Sequence, residues 1–94
     1  MATYFMFGSY SKDSLKGISQ GRTKKAEALI KKLGGSVRSM FGLLGDKDIV
    51  LIVDFPGVEE LIKASVGLAR LTGISFSTVQ AVPVETFDKI AAEA

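Results

Sequence analysis

The chain has 94 residues, 47% of them hydrophobic, with 12 basic and 10 acidic side chains, a net charge of +2, and neither cysteine nor histidine. One domain is the expectation at this length, and mean hydropathy is +0.29 without any apolar run long enough to span a bilayer. The missing residue types exclude disulfides, thiolate and imidazole metal sites, cysteine nucleophiles and histidine-based acid–base pairs.

Met1-Ala2-Thr3 leads directly into a strand, so no secretory leader is expected and a reducing cytoplasm is the default compartment. Thr3 to Tyr10 is aromatic-rich and ends in Ser-Lys-Asp-Ser, reading as the first strand. Asp13 or Ser14 would cap a short helical turn, which Gly17 and Gly21 weaken. A stronger helix follows from about 20 to 33, with Ala26, Leu29, Ile30 and Leu33 at helical spacing, and Gly34-Gly35 ends it. The lysines and arginine between Lys12 and Lys32 could be the footprint of a nucleic acid or an anionic surface, but a solvated outer face is the expectation, since a net +2 is a feeble attractor for a polyanion.

Val37 to Leu44 reads as the second strand and Asp48 to Phe55 as the third, joined by Gly45-Asp46-Lys47. Pro56-Gly57 stops the third strand. A second helix then runs from Val58 to Leu71, with Leu61, Ile62, Ser65, Leu68 and Ala69 on one face. Ile74 to Val82 is the fourth strand, and Glu85 to Ala92 a short terminal helix using Phe87 and Ile90. The order strand-helix-strand-strand-helix-strand defines an α+β, ferredoxin-like βαββαβ domain, an antiparallel sheet with two helices on one face.

The strands do not alternate as a half-solvated sheet should. Ile49 to Val53 is apolar throughout, and the first strand carries Tyr4 and Met6 on one face and Phe5 and Phe7 on the other. Two helices cover one face only. A second copy packed sheet against sheet would cover the other and make a homodimer or higher homo-oligomer, whereas the terminal helix folding back is the alternative cover. A three-residue hairpin loop would pair Leu44 with Asp48, Met40 with Ile52 and Arg38 with Asp54, placing the last pair on the open face. Such a pair could orient a polar ligand or serve as a structural ion pair.

Neither GxxxxGK[ST] nor GxGxxG is present, and Asp46, Asp48 and Asp54 make too sparse a set for a hard metal. No metal or cofactor is expected. RNA binding in the manner of an RRM needs aromatic residues and a basic-Gly-aromatic motif on the third strand, and Asp48 to Phe55 supplies only a terminal Phe55.

Tyr10-Ser11 at the end of the first strand, Arg22 in the first helix, Gly34-Gly35, Gly45 and Asp48 in the hairpin, Asp54-Phe55-Pro56, and Ala81 form a recognisable set. Over roughly residues 4 to 88 the chain resembles the GYD-domain proteins, which belong to the dimeric α+β barrels. The resemblance implies that fold and a dimeric assembly, and it brings no catalytic residues. Lys47 stands where the family's naming motif has tyrosine.

The function expected is binding of a small, largely apolar molecule between the facing sheets of a homo-oligomer. Arg38, Asp54, Tyr10 and Gln80 are its polar ligand-binding candidates. The alternatives are a cofactor-independent oxygenase or isomerase using Asp54 as acid or base, and a purely structural assembly subunit.

Overall fold

A computed structural model describes residues 1–94. The elements are β1 (Ala2–Ser9), α1 (Lys12–Lys16), α2 (Gln20–Lys32), β2 (Ser36–Gly42), β3 (Ile49–Phe55), α3 (Val58–Thr72), β4 (Ser75–Ala81) and α4 (Val84–Glu93). The strands form one antiparallel sheet in the order β2-β3-β1-β4, with α2 and α3 packed on one face. No helix is long and apolar enough to cross a membrane.

Period-two alternation builds the core. Tyr4 and Met6 of β1 stand opposite Val53 and Leu51 of β3, and all four side chains are buried under the helices. Ala26 and Ile30 of α2 and Leu61, Ala64 and Leu68 of α3 close that layer. The buried stripe of α3 is thus 61/64/68. Ile62 and Ala69, expected inside from spacing, are exposed, since both lie off the 61/64/68 stripe that meets the sheet.

Local chemistry explains the helix ends. Ser11, rather than Asp13 or Ser14, caps α1: its hydroxyl accepts from the Ser14 N–H, while the Ser14 hydroxyl accepts from the Ser11 N–H. At the end of α2, Gly34 takes φ 90, and the N–H groups of Gly34 and Gly35 donate to the carbonyls of Lys31 and Ile30. This is the paired helix stop that glycine permits. Gly35 also lies flat against the fully buried Phe55 ring, where an added Cβ would come within 2.5 Å of a ring carbon.

The hairpin differs from expectation. The Leu43 N–H donates to the Asp48 carbonyl, closing a four-residue loop over 44–47. Ser39, Met40, Phe41 and Gly42 then stand opposite Ile52, Leu51, Val50 and Ile49. Met40 therefore faces the helices and packs on the core, and Leu44 is a fully exposed loop residue instead of a partner for Asp48. Unbroken, this register would set Arg38 against Val53 under the helices. A bulge between Val37 and Ser39 restores Val37↔Val53 and Ser36↔Asp54, leaving Arg38 as the extra residue.

The terminal helix α4 does not fold back over the open face. None of its residues is buried, and Val84, Phe87 and Ile90 are all more than half exposed. The radius of gyration is 14.2 Å, against about 12.4 Å for a compact domain of this length.

Candidate functional site

The strand registers lay the open face out as three rows running from β2 to β4. The first is Phe41, Val50, Phe7 and Ser77, and the second is Ser39, Ile52, Phe5 and Val79. The third is Ser36, Asp54, Thr3 and Ala81, with bulged Arg38 beside it. Two rows are therefore dominated by aromatic and aliphatic side chains, and the Phe5 and Phe7 rings lie 6.3 Å apart at a tilted angle. The polar row crosses one end of this surface.

Asp54 is the centre of that row. Its Oδ1 accepts from the Thr3 hydroxyl at 2.5 Å and its Oδ2 from Arg38 Nε at 2.5 Å. The hydrogen bond from Arg38, reinforced by that from Thr3, holds the Asp54 carboxyl below its ordinary value of 3.8, outweighing the opposing effect of burial. Asp54 is buried, while the Arg38 side chain is 61% exposed, so the guanidinium leans over the face with most of its donors free. A carboxylate with both oxygens engaged and its acidity increased is a weak proton acceptor at neutral pH. Its chemistry is that of an anchor that orients Arg38.

The four residues singled out from sequence do not converge. Arg38 and Asp54 meet on the open face, as described. Gln80 stands opposite Tyr4, so it shares the helix-side face of the sheet, exposed at the β4 edge. Tyr10 lies past the end of β1, where its N–H donates to Asp48 Oδ2 at 2.8 Å and Arg22 stacks over its ring at 5.9 Å. Thr3 was missed, although its position two residues before Phe5 on an alternating strand places it on the open face. Nowhere do three carboxylates come together as a metal cluster would require.

The β2-β3-β1-β4 sheet with two helices on one face defines the ferredoxin-like α+β class. The GYD domain family matches residues 4–91, and the chain belongs to that family. Among solved structures, the crystal structure of the Mycobacterium tuberculosis leucine response regulatory protein matches with a TM-score of 0.57 at 11% identity. The match covers 87% of this chain and 51% of that one, so this chain spans about half of that protein's length and the likeness is one of fold. No curated protein matches the chain.

Residues that carry the family likeness have structural work to do here. Asp48 ties the hairpin to β1 twice, accepting from the Tyr10 N–H and donating its own N–H to the Gly8 carbonyl at 2.9 Å. Gly8 lies where any Cβ would meet Ile49 and Ile74 at 2.7 and 2.8 Å, so the strand passes directly beneath these side chains. Lys47, at the tyrosine position of the motif, is part of the hairpin loop and half-buried.

Proposed function

We propose that the protein is a homodimer whose open sheet faces pack together and hold a small, largely apolar molecule, with Arg38 anchored by Asp54 and Thr3 orienting its polar end. The observation that carries this reading is excess surface. The chain exposes 6307 Å², whereas a compact monomer of 10.0 kDa exposes about 5,200 Å². Two apolar features have no helix packed over them within the chain: the Phe41/Phe7 and Phe5/Val79 rows, and the Val84/Phe87/Ile90 stripe of α4.

Dimensions favour a second copy of this chain as the cover. Four strands of about seven residues present a face of roughly 450 Å², short of the ~800 Å² per partner typical of a stable interface. An α4 arm laid on the partner, and the partner's arm received in return, add about 150 Å² each and nearly close that gap. Such exchange is self-complementary, as a two-fold interface requires. A ten-residue helix with nothing buried also needs packing to persist, because isolated helices of this length are marginal in water.

The ligand reading follows from the composition of the face. Apolar rows with one pre-oriented ion pair, Arg38 with Asp54, at their end match the usual construction of small-molecule sites. The test is to denature purified protein, extract it into organic solvent and identify what is released by mass spectrometry. A single compound in near-stoichiometric amount, lost from Phe7→Asp and depleted in Arg38→Ala, supports the reading. Clean protein that also fails to retain an added panel of apolar carboxylates and alcohols reduces the face to an assembly surface.

A further inference from the structure

A small cavity lies on the helix side of the sheet. Its volume is about 50 Å³, and its walls include Ala26, Ile49, Leu51, Leu68, Ile74 and Phe76, with Tyr10 and Arg22 also lining it. Arg22 is held in place from two sides. Its Nη1 donates to the Ser14 carbonyl at 2.5 Å, and its guanidinium lies over the Tyr10 ring. Tyr10 is itself fixed by Asp48, and Ser14 is buried within the α1 capping box.

Arg22 has no carboxylate partner, since the chain's one ion pair joins Arg38 and Asp54. The neighbouring serine and threonine hydroxyls each take part in a hydrogen bond within the chain. Ser19 Oγ accepts from the Arg22 N–H, Thr23 donates to the Ser19 carbonyl, and Thr72 donates to the Leu68 carbonyl while accepting from the Ile74 N–H. Arg22 is thus the one cationic group among the 13 residues that line the cavity, nine of which are hydrophobic. A guanidinium has five N–H donors, and one here is engaged. Half-buried and pre-oriented, it favours an anion more strongly than a freely solvated arginine does.

We infer that this cavity is a binding site for a short-chain monocarboxylate, with the carboxylate on Arg22 and the alkyl tail among Ile49, Leu68 and Ile74. Size sets the tail length: a cavity of about 150 Å³ accepts benzene, so one a third as large takes about two or three carbons. The site is independent of the sheet-face reading, lying on the other side of the sheet and requiring no partner subunit.

Butyrate is the probe, and methyl resonances of Ile49, Leu68 and Ile74 in a carbon–proton correlation spectrum are the readout. Saturable shifts in the millimolar range are expected with butyrate, and none of comparable size with n-butylamine, which has the same tail and opposite charge. Arg22→Gln is expected to weaken butyrate binding about tenfold or more. Ala26→Leu, which fills the cavity wall, abolishes the tail shifts with Arg22 intact. Val53 and Met6 signals report whether each variant keeps its core. Equal responses to butyrate and butylamine, unsaturable shifts, or undiminished binding by a folded Arg22→Gln protein would each overturn the assignment; the first two need no variant.

Discussion

Arg38 reaches Asp54 because β2 carries one extra residue where it passes β3. In the register set by Ser39↔Ile52 through Gly42↔Ile49, Arg38 would align with Val53 and point under the helices. The bulge between Val37 and Ser39 turns it onto the open face, where Nε meets Oδ2 at 2.5 Å. Burying a guanidinium without a partner costs far more than one disrupted ladder position. The bulge is therefore the less costly solution, and it brings the one cationic group of that face to its carboxylate partner.

The Asp54 interactions predict a specific pH dependence. Hydrogen bonds from Arg38 and Thr3 lower the folded-state pKa of Asp54 relative to 3.8, so the unfolded chain binds the proton more readily. The resulting stability is present in full above 3.8 and is lost as pH falls through the lower folded value. Asp54→Asn is expected to destabilise the protein by about 1–2 kcal/mol at neutral pH. Denaturant titrations should show the gap between wild type and variant constant above that window and narrowing within it.

Arg38→Ala should cost less than Asp54→Asn. Arg38 is mostly exposed, its charge is screened, and exposed pairs contribute about 0–1 kcal/mol. If thermal unfolding ranked the two variants the other way, Asp54 would not be the anchor of the row.

Three glycines should respond differently to alanine. Gly35→Ala drives a methyl into the Phe55 ring and should destabilise by about 1–3 kcal/mol. Gly34→Ala meets little steric opposition but demands φ 90, costing about 1 kcal/mol. Gly42 has ordinary φ and open space around it, so its substitution should stay within about 0.5 kcal/mol of wild type. Equilibrium denaturation of the three variants checks the order.

Phe87→Asp separates assembly from folding. Phe87 is 60% exposed in the single chain, so the charge disturbs no intrachain packing and the isolated domain should keep its circular dichroism. In the dimer the same aspartate would be placed in an apolar contact, and dimer dissociation should strengthen by at least tenfold in sedimentation equilibrium. Leu68→Ala is the contrasting case. Leu68 is 1% exposed in the intrachain core, and its truncation should cost about 2–5 kcal/mol.

The architecture was legible because its signals are redundant. Apolar spacing marks α2 and α3, glycine pairs and Pro56 mark the stops, and the order of elements leaves few topologies. The hairpin register was not legible for a physical reason. Ile49 to Val53 is apolar on both faces, so a shift by one residue exchanges one apolar set for another and the pattern does not penalise it. Arg38 was the single residue able to report the register, and the bulge satisfied it in another way. Tyr10 and Gln80 were misplaced for a related reason. Tyr10 lies beyond the strand, where alternation no longer applies, and Gln80 sits on an edge strand whose helix-side face remains wet. Thr3, small and near the terminus, acquires its role only through Asp54 across the sheet.

A second copy of the chain is expected to close the open face of the sheet. Light scattering coupled to size-exclusion chromatography, run on the full chain across a dilution series, tests it most directly. A homodimer gives a mass of twice 10.0 kDa that persists on dilution and falls to the single-chain value in Phe7→Asp. A wild-type mass of 10.0 kDa at every concentration would sink it, leaving Phe41 and Val79 exposed and Phe5 and Phe7 half-buried on a stable monomer.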